Sequence, residues 1–289
     1  MSVARFAQPT IAPPRNTTLL GDDEFAELAA AVLGTSQLLI IGASSVGKSM
    51  VARAVADAVA APGVADRVHI MQLHPGSTHE DLVGRLGARA VDGQRVWRHI
   101  EGPLVALADA VRSDGARRVL VLDDLHHVDI PTFFGEAYVL LDAREGSNGS
   151  TSMQLPNGTW LSLPRDLAII ATALPPTVGA AGVDISWRRR FAQVHLPASG
   201  EVLARHYERA VNDVPDLVSG FEWMNVLLEA AFGAAYTIGH GVFMVDHMTP
   251  ARFRQICHHQ IEPLLVATTH GHPVANRLVP TLLWPSLTA

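Results

Sequence analysis

The run Gly42-Ala43-Ser44-Ser45-Val46-Gly47-Lys48-Ser49 limits what this chain can fold into more than any other stretch. Glycine, four residues, glycine, lysine and a hydroxyl is the pattern of a phosphate-binding loop. Such a loop works only between a strand and a helix. The apolar run Leu38-Leu39-Ile40-Ile41 supplies the strand in front, and Val51, Val55 and Val59 recur at helical spacing behind. The two glycines let backbone N–H groups turn inward on a phosphate, and the following helix offers its positive end to the same anion. Lys48 is then expected to reach the outer phosphates and the Ser49 hydroxyl to ligate Mg²⁺. The nucleotide-binding residues read from the sequence are Gly42, Ala43, Ser44, Ser45, Val46, Gly47, Lys48, Ser49 and Met50. The chain is expected to bind a nucleoside triphosphate.

A length of 289 residues leaves room for one large domain and a smaller one. No apolar run is long enough to cross a bilayer, and the first residues lack a basic-then-apolar secretion signal, so a cytoplasmic protein without membrane contact is expected. Cys257 is the single cysteine, which permits no internal disulfide and agrees with a reducing compartment. It falls in an amphipathic helical pattern and reads as a buried, inert thiol. The net charge is −6 with no long Lys/Arg block, which disfavours direct nucleic-acid binding by this chain alone.

Strand and helix signals alternate along most of the chain. Residues 1–17 are rich in Pro and small residues and read as an extended tail. Asp22 or Asp23 is expected to cap a helix carrying Phe25, Leu28, Ala29 and Val32. After the phosphate loop come a strand at Val68 to Leu73, a short helix from Glu80 to Leu86 and a polar turn at Asp92-Gly93. Pro103 opens a helix that stops near Gly115, and Val119 to Leu122 reads as a strand buried on both faces. Pro131 opens a helix with Phe134, Tyr138 and Leu141, and residues 146–158 form a Gly/Ser/Asn-rich hairpin or loop. Leu167 to Ala171 and Ala192 to Leu196 are the last strands. From Pro197 onward only helical patterns remain: Glu201 to Val211, Phe221 to Tyr236, and Pro250 to Thr268 capped by Thr249. The expected architecture is α/β, a three-layer domain with a parallel sheet over residues 18–197, followed by a small all-α lid over 198–289.

Asp123 and Asp124 end the central strand. A carboxylate there is expected beside the phosphate loop, where Asp123 holds Mg²⁺ through water and Asp124 polarises the attacking water. Arg188, Arg189 and Arg190 precede the last strand, placed to cross a subunit boundary and neutralise charge on a neighbour's γ-phosphate. The catalytic set is thus Lys48, Asp124, Arg188, Arg189 and Arg190, with Ser49 and Asp123 at the metal. His126-His127, His258-His259, His270 and His272 lack a familiar zinc spacing, so no metal other than Mg²⁺ is expected. Trp97, Trp160, Trp187, Trp223 and Trp284 are scattered and read mostly as core or interface residues. The sequons at Asn148 and Asn157 have no use without secretion.

Taken together, these segments resemble the AAA+ module of the McrB family, the motor of modification-dependent restriction systems. The likeness rests on Gln72-Leu73-His74-Pro75 with Glu80-Asp81-Leu82-Val83, on Glu101-Gly102-Pro103-Leu104, and on Ile130-Pro131 with Phe134-Gly135-Glu136. Leu155-Pro156 with Leu163-Pro164-Arg165-Asp166-Leu167, Arg188-Arg189-Arg190-Phe191, Ile238-Gly239-His240-Gly241-Val242-Phe243 and Ile261-Glu262-Pro263-Leu264-Leu265 continue it in order. The resemblance implies a nucleotide-dependent homo-oligomer, a hexameric ring, with nucleotide held between subunits and Arg189 or Arg190 reaching across. It also implies an McrC-like or other effector subunit as partner, in defence against foreign DNA.

Departures from the family pattern bear on activity. The acidic pair of the family is Asp-Glu, whereas this chain has Asp123-Asp124, one methylene shorter. The Asn and Arg that follow are replaced within Leu125-His126-His127-Val128-Asp129, and the sensor asparagine by Leu174, with Thr172 not counted on to replace it. Binding residues and arginines remain, so binding and assembly with slow hydrolysis are expected. ATP is slightly favoured over GTP. Two other readings stay open: a nucleotide-gated scaffold with little hydrolysis, and a MoxR-like protein-remodelling chaperone.

Overall fold

The computed structural model describes residues 20–91, 94–146, 149, 151–176 and 185–268. The tail expected over 1–17, Trp284, His270, His272 and the sequon at Asn148 lie outside the described residues. In chain order the first elements are α1 (Asp22–Thr35), β1 (Gln37–Gly42), α2 (Lys48–Val59), β2 (Val68–Gln72), α3 (His79–Val83), β3 (Gly84–Val91) and β4 (Gln94–Glu101). Next come α4 (Pro103–Asp114), β5 (Arg118–Asp123), α5 (Ile130–Phe134), β6 (Met153–Gln154), β7 (Trp160–Leu161), β8 (Leu167–Ala173), α6 (Ile185–Arg188) and β9 (Ala192–Leu196). The remainder is α7 (Gly200–Tyr207), β10 (Val211–Asn212), α8 (Leu217–Phe232), β11 (His247–Met248), α9 (Pro250–Ile256) and α10 (Glu262–Thr268).

Among these residues the chain divides into two compact units. One is drawn from the described residues within 20–40, 49–173 and 185–194, the other from those within 41–48, 174–176 and 195–268.

The first unit is built on a five-stranded sheet in the order β2-β5-β8-β1-β9. Its pairings of β2 with β5 and of β5 with β8 are parallel, the latter aligning Arg118 with Leu167 and Leu122 with Ala171. Every residue of β1, β5 and β8 is buried, whereas the outer strands β2 and β9 are partly exposed. A strand hidden along its whole length needs cover on both faces, so the sheet is the middle of three layers, as its uninterrupted apolar runs predict. α1 and α4 pack on it, the first presenting Phe25, Leu28, Ala29 and Val32. α4 opens with Pro103 in its first turn and stops at Gly115, whose left-handed φ of 69° lets its N–H close on Val111.

Several local expectations change. The N-cap of α1 is Gly21, whose N–H is held by the Glu24 carboxylate at 2.8 Å, so Asp22 and Asp23 lie inside the first turn rather than at the cap. The helix expected to run to Leu86 ends at Val83. Gly84, at φ 121°, turns the chain into an antiparallel hairpin of β3 and β4, eight residues each, in register from Gly84↔Glu101 to Val91↔Gln94. Gly102 closes it, because a Cβ there would overlap the Leu82 carbonyl. The helix expected from Pro131 is cut at Gly135, φ 51°, into α5 and a 3-10 turn over Gly135–Leu141. Trp97, Trp160 and Trp223 are exposed, and of the four described tryptophans only Trp187 is buried.

The second unit is mostly helical but not wholly so. β10 and β11 form a short parallel ladder, Val211 with His247 and Asn212 with Met248, where strand signals were expected to have ceased. Its core gathers Leu203, Phe221, Met224, Phe243, Met248 and Phe253. Phe243 stacks on Phe253 and meets Phe221 edge-on, with ring centroids 5.9 and 5.8 Å apart. Thr249 caps α9 as expected, its hydroxyl accepting from the Arg252 N–H at 3.2 Å. Between α9 and α10 the helix widens into a π turn over Cys257–Ile261. Cys257 is buried there, and burial, helped by the Glu262 charge, pushes its thiol up to about 12. No described helix is long and apolar enough to cross a membrane.

Candidate functional site

The phosphate loop lies in the second unit up to Lys48. Gly42 ends β1 where a Cβ would stand 2.6 Å from the Leu196 carbonyl oxygen and 2.8 Å from Val46 Cγ2, so only glycine fits. Gly47 takes φ 85° and Ser45 takes φ 61°, so two left-handed residues curl the loop before α2 begins at Lys48. Lys48 is buried, and its Nζ donates to the Ala43 carbonyl at 2.7 Å. The ammonium is thus stored on the loop's own backbone. Met50, two residues further on, is 44% exposed.

The acidic residues lie in the first unit, where Ser49 belongs too. Ser49 Oγ donates to Asp123 Oδ1 at 2.9 Å. The same carboxylate oxygen accepts from Thr172 Oγ1 at 2.5 Å, and Thr172 Oγ1 accepts in turn from the Asp124 N–H at 2.9 Å. β8 stands between β1 and β5 in the sheet, which is how a threonine of β8 comes to bind both aspartates. Thr172 is wholly buried and Asp123 nearly so. Sequence reasoning set Thr172 aside. The available signal was a hydroxyl near the end of the otherwise apolar strand Leu167-Ala168-Ile169-Ile170-Ala171-Thr172-Ala173.

Asp124 follows in a left-handed conformation, φ 60° and ψ 49°. That turn separates its carboxylate from that of Asp123. Oδ2 accepts from Gln72 Nε2 at 2.8 Å, at the end of β2, and Oδ1 lies 3.9 Å from His126 Nδ1. Gln72 entered the sequence analysis only as part of a motif, yet it fixes the second acidic group. The rings of His126 and His127 sit 4.2 Å apart in the 3-10 turn that follows. Among the described residues no three His, Cys, Asp or Glu converge as a metal cage.

A hydroxyl and a buried carboxylate 2.9 Å apart are hard oxygen donors of the kind Mg²⁺ takes together with water and phosphate, so Ser49 and Asp123 fit that ion.

The three arginines have different surroundings. Arg190 lies over the Tyr138 ring at 4.1 Å and pairs with Asp142 at 2.6 Å, its side chain only 8% exposed. Arg188 sits beside the Trp187 ring, and burial lowers its pKa. Arg189 is 69% exposed, its guanidinium 3.9 Å from Asp142. Arg190 is therefore used within its own chain, and Arg189 is the one presented outward.

A strand, a curled glycine loop with a stored lysine, and a buried hydroxyl–carboxylate pair at the end of a parallel strand define a phosphate-loop nucleoside triphosphatase. Residues 37–191, more than half of the chain, match the AAA domain (dynein-related subfamily), and the chain belongs to that family. It is 22% identical over 218 residues to the type IV methyl-directed restriction enzyme EcoKMcrB subunit of Escherichia coli (strain K12). That match takes in 71% of this chain and 47% of the relative, so the chain spans about half the relative's length. The McrB-like AAA+ character read from the ordered motifs agrees with both findings. Among solved structures it is similar to one assigned as an ATPase from Cytophaga hutchinsonii, at 12% identity and TM-score 0.41 over 86% of this chain and 81% of that one. It is also similar to NtrX from Brucella abortus in complex with ADP, at 16% identity and TM-score 0.41 over 92% of this chain and 50% of that one.

Proposed function

We propose that this chain binds ATP or GTP with Mg²⁺ and hydrolyses it slowly between subunits of a homo-oligomeric ring, driving or gating an effector subunit. The observation that carries the reading is the linked set Ser49, Asp123, Thr172 and Asp124, which gathers a metal-binding hydroxyl, a buried carboxylate and a second carboxylate in one hydrogen-bonded group. Residues 18–197 serve as the nucleotide-binding domain and 198–289 as the lid.

In this reading Lys48 leaves the Ala43 carbonyl for the outer phosphate oxygens, while the loop N–H groups and the start of α2 hold the rest of the polyphosphate. Ser49 and Asp123 hold the Mg²⁺, which neutralises phosphate charge when bound. Thr172 keeps Asp123 and the Asp124 backbone in place. Asp124 orients the attacking water and accepts its proton at a carboxylate oxygen. Arg189, exposed on its own subunit, meets the γ-phosphate of the neighbour. Arg188 and Arg190 support it, Arg190 through Asp142 and Tyr138.

The likeness to the restriction-enzyme subunit supports an McrC-like effector as partner and a role in restriction of foreign DNA, and the proposed site of action is cytoplasmic. The scaffold alternative, with little hydrolysis, draws support from Leu174 and from the short Asp124 carboxylate held by Gln72. Turnover of ATP and GTP, measured side by side where light scattering shows the oligomer, tests the reading. Slow hydrolysis of either that disappears in Lys48→Ala is expected. Tight binding and assembly without turnover would move the conclusion to the scaffold, and no nucleotide binding at all would overturn both.

A further inference from the structure

Ser45 is the one residue of the phosphate loop that bears a side chain and yet stands at left-handed φ, 61°. L-residues other than Asn and Asp seldom rest there without support. The support comes from far along the chain. The Gly241 N–H donates to the Ser45 carbonyl at 2.9 Å. A Cβ on Gly241 would lie 2.7 Å from that same oxygen, and a Cβ on Gly239 would overlap the Ser44 carbonyl oxygen and the Ser45 carbonyl carbon. Gly239 has φ −67° and ψ 144°, which any residue adopts. Its lack of a side chain therefore serves close approach, letting backbone lie on backbone.

The residue between the two glycines anchors the turn. His240 is buried, and its Nδ1 accepts the Ser199 N–H at 3.2 Å. Ser199 is the N-cap of α7, its hydroxyl accepting from the Val202 N–H at 3.2 Å. A path of contacts thus runs from the α7 cap through His240 to Gly241 and the Ser45 carbonyl, all inside the second unit. Consistently, Ile41–Lys48 falls in the same compact unit as Ser199 and the Gly239–Gly241 turn.

We infer that the Gly239–His240–Gly241 turn is a positioning element for the nucleotide: by holding Ser45 left-handed it aims the loop's N–H groups, so affinity for the polyphosphate is set from the α7 end of the chain. This rests on the loop binding a nucleotide and adds that the loop is not shaped by its own sequence alone. A change in the α7 cap or the turn then alters binding without touching the ligand.

The test is a titration of the full chain with a fluorescent ADP analogue, paired with thermal unfolding of each variant. Gly241→Ala should weaken binding about tenfold, the scale of one backbone hydrogen bond lost, with a far smaller effect on the unfolding midpoint. Glycine takes the left-handed conformation unaided, so at position 45 it removes the need for the turn's support. Ser45→Gly combined with Gly241→Ala should recover most of the lost affinity, a rescue that mere structural damage at position 241 does not give. Should Gly241→Ala fail to fold, His240→Leu, which removes the acceptor for Ser199, is read the same way against Ser45→Gly. Unchanged affinity in the turn variant, or a loss that Ser45→Gly leaves undiminished, overturns the inference. A parent chain that binds no nucleotide overturns the underlying reading instead.

Discussion

At the scale of single residues, the proposed chemistry turns on Asp124. Its left-handed backbone swings the carboxylate away from Asp123, and Gln72 then holds one of its oxygens at 2.8 Å. With one methylene less than a glutamate, the free oxygen falls short of where a longer side chain reaches. A shortfall of ~1 Å at a reacting group costs on the order of 10² in rate. Asp124→Glu is therefore expected to raise kcat by about tenfold or more with little change in KM, and Asp124→Asn to abolish turnover while leaving nucleotide binding intact. Steady-state kinetics on the two variants decide it, and a kcat unmoved by either would remove Asp124 from the reaction. Thr172→Val tests the support. It keeps the volume but leaves the Asp124 N–H without its acceptor, at a cost of about 1–3 kcal/mol in stability, and frees Asp123 to drift. A kcat at least about tenfold below the parent is expected, with a lowered unfolding midpoint. Much of this was legible beforehand: the loop, the acidic pair and the arginines stand out by type and spacing. Thr172 and Gln72 did not, because a lone polar residue at a strand end takes its meaning from the strand beside it.

At the scale of elements, legibility followed burial. β1, β5 and β8 are continuous apolar runs and α4 carries both its start and its stop signal, so their bounds are close to those expected. The β3–β4 hairpin was hidden for the opposite reason. Its Leu86, Trp97 and Ile100 are all exposed, so no alternation of buried and exposed residues marks it, and Leu82, Val83 and Leu86 imitate a helical stripe. The β10–β11 ladder has two residues a side, too few for any pattern. The α7 cap gives an element-scale prediction. Burial lowers the His240 pKa below its ordinary 6.5, and the neutral ring is the form whose Nδ1 accepts the Ser199 N–H. Between the folded and unfolded pKa values the unfolded chain binds more protons, so stability rises with pH there. The contribution is whole above pH 6.5 and is lost as pH falls toward the lowered value. Thermal unfolding at pH 8 and pH 5 should show a drop in midpoint for the parent and a smaller one for His240→Asn, whose amide oxygen accepts without titrating. Equal drops would place the acid sensitivity elsewhere.

At the scale of the whole molecule, the chain separates its tasks. Lys48 belongs to one compact unit and Ser49 with the acidic residues to the other. The sequence puts a change of character near residue 197 because the strand pattern stops there, and no linear pattern marks that Ile41–Lys48 shares a unit with Ser199 and His240. The arginines carry the consequence for assembly. Arg190 is committed to Asp142 and Tyr138, while Arg189 is 69% exposed and is the one proposed to serve a neighbouring subunit. If Arg189 acts across a boundary, Arg189→Ala should bind nucleotide as the parent does and lose turnover, whereas Lys48→Ala should lose both. Mixing Arg189→Ala with Asp124→Asn, which keeps nucleotide binding, is then informative. A subunit with Arg189→Ala has an intact Asp124, and a neighbour with Asp124→Asn has an intact Arg189, so the two complete one working site between them. About one half of random junctions pair a sound Asp124 with either arginine, and half of those carry the sound one. The mixture should recover roughly a quarter of parental turnover, with mass measurement showing that both variants enter one oligomer. Mixed oligomers that stay inactive would mean that Arg189 serves its own subunit, and the site would have to be rebuilt within a single chain.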